Sequence, residues 1–367
     1  MSQHALSMPP AHRRAIKAII NCRTAALGGH VVECENCRVQ DYAYHSCRHR
    51  SCPTCMADVG EEWFQSAKGE LLPVPYFHVV FSVPDELDKI IRGNQRALYP
   101  VLMQAASQAL LEVAAAPEHL GGEVGVMATL HTWSRTLAYH PHVHCLVPAG
   151  SVDEHGHWQA AKGPRLAPDG VLAKAFRDTL RTMMRRAVPG LELPEAVFDE
   201  DWQVFAEQPA HGAEAVLRYL GRPLHRGPLC DHRIVEVTDT GVVFRYRDRA
   251  KWRTLRLDGH EFLRRFLQHV WPKGLHKVRY SGLWSRRSRA RLEALRQQLL
   301  AADPVDPCSV SAAPEAVDTH DPSTPHWMRC PHCGHGKRVI ISQFGRGTTP
   351  PPLRQPPPGS APTAQPP

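Results

Sequence analysis

The chain has 367 residues, 43% of them hydrophobic and 22% charged, with a net charge of +8 and 11 cysteines. This composition suits a globular protein with one full-sized core and one or two small modules, and the positive balance favours a polyanionic partner. No apolar run approaches the roughly 18 residues of a membrane span, and the N-terminus lacks a basic start followed by an apolar stretch, so an intracellular protein with no membrane partner is expected.

Residues 9–26 carry a helical pattern, with Ile16, Ile19 and Ile20 set among Arg13, Arg14, Lys17 and Arg23, and Gly28-Gly29 closes it. The segment from 30 to 56 is rich in cysteine and poor in large aliphatics, so it needs a staple other than a core. Cys34-x2-Cys37 and Cys52-x2-Cys55 have nearly the spacing of a zinc ribbon, in which two tight turns face each other across a tetrahedral ion. These four cysteines are the expected ligands of a structural Zn²⁺, with Cys47 and His49 between them as substitutes or as part of a second site. Cys22 reads as a small buried hydrophobe on its helix.

A helix is expected from Trp63 to Leu72, then a β-prone run from Tyr76 to Val83, a helix from Asn94 to Ala115 and a strand from Val124 to Trp133. The strand His142–Val147 carries His142 and His144 on one face, because side chains two apart project from the same surface. Neutral imidazoles so placed are half of a transition-metal site, although a pair of solvated or hydrogen-bonded histidines fits the same pattern. A loop or hairpin follows at 150–164, then a basic amphipathic helix over 171–187. A short helix, Ala213–Leu220, carries Tyr219 between Arg218 and Arg222. Two β-rich runs, Ile234–Tyr246 and Trp252–Leu257, precede a helix over 259–270.

Between His276 and Arg291 basic residues alternate with rings and no acid intervenes. Lys277, Arg279, Tyr280, Trp284, Arg286 and Arg287 are candidates for contact with single-stranded DNA, charge for the backbone and rings for bases, against the alternative of a solvated helix face with buried aromatics. Beyond residue 300 the Pro- and Ala-rich composition predicts a largely disordered tail, 301–367, interrupted by Cys330-x2-Cys333. That pair is half a metal site, which His332, His335, Cys308 or spare N-terminal ligands could complete.

These blocks in order resemble the insertion sequence 91 (IS91) family of rolling-circle transposases, of the HUH endonuclease superfamily. The likeness rests on Cys22–His30, Cys47–Cys55, Pro73–Phe81, Leu130-His131-Thr132-Trp133, His142-Val143-His144, Tyr219-Leu220-Gly221-Arg222 and Trp271-Pro272-Lys273-Gly274. It implies an α+β fold with an N-terminal zinc ribbon over 1–60 and an antiparallel-sheet HUH core with flanking helices over 61–300. His142 and His144 become ligands of a catalytic Mg²⁺ or Mn²⁺ and Tyr219 the nucleophile; independently of the resemblance, the guanidiniums of Arg218 and Arg222 beside Tyr219 favour a nearby phosphate.

The implied reaction nicks and rejoins single-stranded DNA at element ends through a 5′-phosphotyrosine. With no Gly-x4-Gly-Lys-Ser/Thr loop in the chain, a host helicase or replication machinery is the implied partner. A cytoplasmic, nucleoid-associated setting follows, and an oligomer is compatible with it. Where many members carry a second tyrosine this chain has Pro223, which places it in the one-tyrosine subgroup. The usual position of a third metal ligand is Arg135, which cannot ligate, leaving His131, His140 or a side chain of the tyrosine helix. Two further readings stand beside this one: a zinc-dependent DNA-binding relative without activity, and a hydrolase that uses metal-bound water instead of Tyr219.

Overall fold

A computed structural model describes residues 8–54, 57–207, 217, 228–248, 251–302, 328–334 and 336–354. Tyr219, Arg218, Arg222 and Cys55 lie outside the described residues, as does all of the expected helix 213–220 except Leu217. The chain forms two compact units, Met1–Cys55 with Ser311–Pro367, and Met56–Val310.

In chain order the first elements are α1 (Pro10–Ile20), β1 (Gly29–Cys34) and β2 (Gln40–Tyr44), then α2 (Ala57–Gly69), β3 (Tyr76–Ser82), α3 (Asp88–Gly93) and α4 (Gln95–Ala115). Next come β4 (Gly125–Trp133), β5 (Tyr139–Pro148), the hairpin β6 (Gly150–Val152) and β7 (Trp158–Ala160), α5 (Asp169–Ala187) and β8 (Val204–Glu207). The last are β9 (Ile234–Thr238), β10 (Gly241–Asp248), β11 (Lys251–Asp258), α6 (Gly259–Gln268), β12 (Val278–Gly282), α7 (Arg289–Ala302) and β13 (Arg338–Phe344).

The larger unit is built on a five-stranded antiparallel sheet of order β12-β4-β5-β3-β8. One face is apolar: Phe77, Val79 and Phe81 of β3, Val126, Ala128 and Leu130 of β4, and Val143, Cys145 and Val147 of β5 pack with α4 and α5 in one buried cluster. Helix α4 shows little amphipathicity because it buries residues on most sides, from Leu98 and Tyr99 to Val113 and Ala114. Outside it α5 turns Leu172, Phe176, Leu180 and Met184 inward at helical spacing, while Lys174 pairs with Asp178 at the surface.

The opposite face is divided. Tyr76, Met127 and Leu146 are covered in a second cluster with Phe64 and Ala67 of α2, Trp284, and Leu292 and Leu295 of α7. Farther along the same strands that face carries histidines. A separate three-stranded sheet, β11-β10-β9, packs Phe244 and Leu257 with Leu137 and Leu229.

Three expectations change here. The run Ile234–Tyr246 is two strands, broken at Asp239-Thr240, where a turn reverses the chain. The basic stretch after His276 is not a helix face: its first half is β12, an edge strand paired with β4. The C-terminal region is not simply a tail, because β13 adds to β1 as the third strand of a sheet of order β13-β1-β2 in the smaller unit. The run Arg338-Val339-Ile340-Ile341 has the β-branched character of a strand, and the Pro-rich residues around it dominated the composition.

Candidate functional site

The histidine centre follows from strand register. His131 on β4 stands opposite His142 on β5, and His144 stands opposite Thr129 and Val80, so all three imidazoles share one face. Their nearest ring nitrogens lie within 4.8 Å of one another. The Nδ1–H of His142 donates to the His140 carbonyl at 2.8 Å, which leaves its Nε2 lone pair for a ligand. Nδ1 of His144 is 2.9 Å from Nε2 of His78, from β3, so a second-layer imidazole orients it in the way supporting groups orient metal-bound histidines. Nε2 of His131 is buried and has no hydrogen-bond partner.

Electrostatics favour the ligating form. Burial pulls His142 down to about 4 and takes His131 and His144 well below the ordinary histidine value, with neighbouring imidazoles adding to the effect. All three rings are therefore neutral at physiological pH. An orphaned buried nitrogen among neutral imidazoles fits a divalent transition ion. Of the third-ligand candidates, His131 belongs to the cluster. His140 turns its ring toward Asp85 at 3.7 Å, and Arg135 meets Arg233 through its carbonyl.

The cysteines are sorted differently from their spacing. Cys34 and Cys37 are grouped with Cys330 and Cys333, the Sγ atoms all within 4.8 Å. Cys34–Cys333 is 3.7 Å and Cys37–Cys330 is 3.6 Å. Zinc–thiolate bonds of about 2.3 Å arranged tetrahedrally set sulfurs about 3.8 Å apart, whereas a disulfide needs about 2.05 Å. Backbone N–H groups of Cys37, His332 and Gly336 donate to the sulfurs of Cys34, Cys330 and Cys333. A Cβ on Gly336 would lie 2.3 Å from the Cys34 sulfur, so only glycine fits there. Without an ion, burial pushes the Cys37 thiol up to about 12; a bound cation reverses that bias.

Cys52 is not part of this group. It lies with Cys22 and Cys47, so the expected quartet of Cys34, Cys37, Cys52 and Cys55 is not the one assembled, and Cys22 is no idle hydrophobe. The reason is topological: β13 brings Cys330 and Cys333 to the end of β1, a pairing invisible to local spacing. His49 is outside both groups, since its Nδ1 accepts the Ser51 N–H at 3.2 Å and its lone pair is committed.

The basic stretch is split in the same way. The Trp284 ring is buried, stacked on Tyr76 at 5.8 Å with 7° between planes, and its N–H donates to the Glu70 carbonyl; it is a core residue and not a base platform. Lys277 lies over the Trp271 ring, while Arg279, Tyr280, Arg286 and Arg287 are exposed. Arg279, Tyr280 and Arg286 line a cavity of about 690 Å³ together with Arg289 and Arg296. Sequence reasoning missed Phe205, 58% exposed on β8 and reached from His144 across Val80 in one cross-strand row.

Comparison with known proteins agrees with these features. The family described as "Transposase zinc-binding domain" matches residues 1–83, and the family described as "Putative transposase" matches residues 125–291. A relative in Sinorhizobium fredii (strain NGR234), "Putative transposase y4qJ", is 37% identical over 375 residues, covering 95% of this chain and 94% of its own length. The "Transposase for insertion sequence element IS801" of Pseudomonas savastanoi pv. phaseolicola is 27% identical over 74% of this chain and 70% of its own. Among solved structures, the relaxase TrwC complexed with a 27-mer DNA aligns over 60% of this chain and 73% of its own at 12% identity and a TM-score of 0.26, too loose to bear on the reaction. With a relative matched along nearly its whole length and both parts of the chain matched by transposase families, the protein belongs to the IS91 family of rolling-circle transposases.

Proposed function

We propose that this transposase is an HUH-type enzyme that nicks and rejoins single-stranded DNA through Tyr219, at a centre whose third ligand is His131. The observation that carries the reading is the buried, unpartnered Nε2 of His131 among the neutral rings of His142 and His144. A divalent ion held there would supply Lewis-acid polarisation of a scissile phosphate. A donor set of three imidazoles suits Mn²⁺ or a neighbouring transition ion better than Mg²⁺, which prefers oxygen ligands.

The Tyr219 phenol oxygen attacks phosphorus in line. Its bond to phosphorus forms as the bond to the 3′ oxygen breaks; the phenol gives up its proton and the leaving oxygen takes one, giving a free 3′-hydroxyl and a 5′-phosphotyrosine. A later 3′-hydroxyl reverses the step and joins strands without ATP. Leu217, the described residue nearest in sequence, belongs to the cluster with Met127 and Leu146, and Tyr219 is assigned as the nucleophile from the family motif Tyr219-Leu220-Gly221-Arg222. Arg218 and Arg222 flank the phosphate, and the exposed rings of Phe205 and Tyr280 are the stacking groups for bases.

Cys34, Cys37, Cys330 and Cys333 hold structural Zn²⁺. Strand separation comes from a host helicase or replication machinery, and two protomers can pair to bring two tyrosines to the reaction. Among the described residues no helix is long and apolar enough to cross a membrane.

Incubation with Mn²⁺ and end-labelled single-stranded DNA of an element terminus is expected to give a denaturation-resistant protein–DNA adduct that is lost in Tyr219→Phe and in His131→Ala. Cleavage without an adduct, or an adduct that survives in Tyr219→Phe, contradicts the assignment of the nucleophile.

A further inference from the structure

Cys22, Cys47 and Cys52 come together in the smaller unit with their sulfurs within 4.8 Å of one another, Cys22 from the end of α1 and the other two from the segment after β2. Cys52 is fully buried, and Cys22 and Cys47 are partly so. The segment 45–49 that carries Cys47 has no helix or strand to hold it. We propose that these three thiolates bind a second structural zinc ion, distinct from the ion assigned to Cys34, Cys37, Cys330 and Cys333.

The backbone around the three cysteines repeats the backbone around the four. In the first group, the residue directly after Cys37 is Arg38, with φ 59°, and the residue after Cys333 is Gly334, with φ 77°. In the second group, Arg23 follows Cys22 with φ 55° and Arg48 follows Cys47 with φ 50°. Left-handed backbone is uncommon for residues other than glycine, and it persists where the surroundings enforce it. Among the described non-glycine residues only Leu137 adopts it besides these three arginines.

The amide pattern repeats too. His332 donates its N–H to the sulfur of Cys330 two residues back, and His49 donates to the sulfur of Cys47 in the same i+2 relation at 3.5 Å. Such N–H···S bonds favour thiolate, the form zinc takes. Three thiolates leave one tetrahedral position for a fourth donor. His49 does not supply it, because its Nδ1 is committed to Ser51.

The ion would staple the end of α1 to the loop that follows β2, where a hydrogen bond from the Arg23 N–H to the His45 carbonyl already joins the two stretches.

The test measures zinc by mass spectrometry on the full chain carrying His142→Ala, so that the histidine centre does not add to the count. About two zinc ions per chain are expected, falling to about one in Cys47→Ser or in Cys333→Ser and to none when both are changed. A chain without those changes is probed by alkylation under reducing conditions, which needs no folded cysteine variant. Cys22 and Cys47, being partly exposed, should resist iodoacetamide while zinc is bound and react once a chelator removes it. A count of one that Cys47→Ser does not alter, alkylation of Cys22 and Cys47 at free-thiol rates in the zinc-loaded chain, or a disulfide between any two of the three overturns the proposal.

Discussion

Single side chains in the histidine centre divide into those that would touch an ion and one that holds another in place. His131→Ala removes a ligand and is expected to abolish measurable Mn²⁺ binding in a calorimetric titration. His78→Ala leaves all three ligands and frees the Nδ1 side of His144, so affinity should fall by about 10- to 100-fold, the range for supporting groups. If His78→Ala costs nothing, the pair His78–His144 is packing and not support. A different residue sets a pH response. Burial, with Asp85 beside it, raises Asp88 to about 7. A carboxyl whose folded value lies above its unfolded one stabilises the fold most below about pH 4, and that contribution is lost as pH rises through about 7. Thermal melts should therefore show stability falling across that window, and Asp88→Asn should flatten the profile.

Elements bring these residues together only because particular positions tolerate close approach. Gly282 ends β12 with φ +60°, and a Cβ there would meet the Val124 carbonyl oxygen at 2.0 Å. Gly282→Ala should cost at least about 1–3 kcal/mol in denaturant melts, from backbone strain before the clash is added. Phe176 of α5 is fully buried and lies 4.7 Å from Phe81 of β3, centroid to centroid. Phe176→Ala should cost about 3–5 kcal/mol, as large-to-small changes in packed cores do. The amphipathic α5 and the existence of β3 were readable from the sequence, the first from its helical period and the second from its β-prone composition. The β12 strand was not, because a run of five residues with charges and a tyrosine has no decisive period, and its pairing with β4 is what makes it a strand.

At the scale of the whole molecule, the smaller unit is assembled from both ends of the chain, with the larger unit inserted between them. The sulfurs of Cys37 and Cys330, 293 residues apart in sequence, sit at 3.6 Å. An ion across that contact closes a very long loop and contributes folding free energy to a unit with few buried aliphatics. Stripping zinc with a chelator should make the segment from residue 328 to 354 sensitive to limited proteolysis while the larger unit keeps its resistance. Equal sensitivity before and after chelation would mean that β-pairing with β1 alone holds the segment.

What the sequence determined by itself is whatever short-range pattern encodes: the same-face pair His142 and His144, the β-prone runs of the main strands and the apolar spacing of the helices, the presence of metal-binding cysteines and the family likeness. Tertiary structure decided the partners. Any Cys-x2-Cys turn offers the same two thiolates, so spacing shows that a half-site exists and not which other half meets it; strand β13 chose Cys330 and Cys333 over Cys52 and Cys55. His131 was one of several candidates for the third ligand until register placed it across from His142, and Trp284 suited a DNA groove as well as a core until stacking on Tyr76 placed it inside. Ligand sets and buried rings are long-range choices, made by which strands pair and which faces close, and local periodicity carries no information about them.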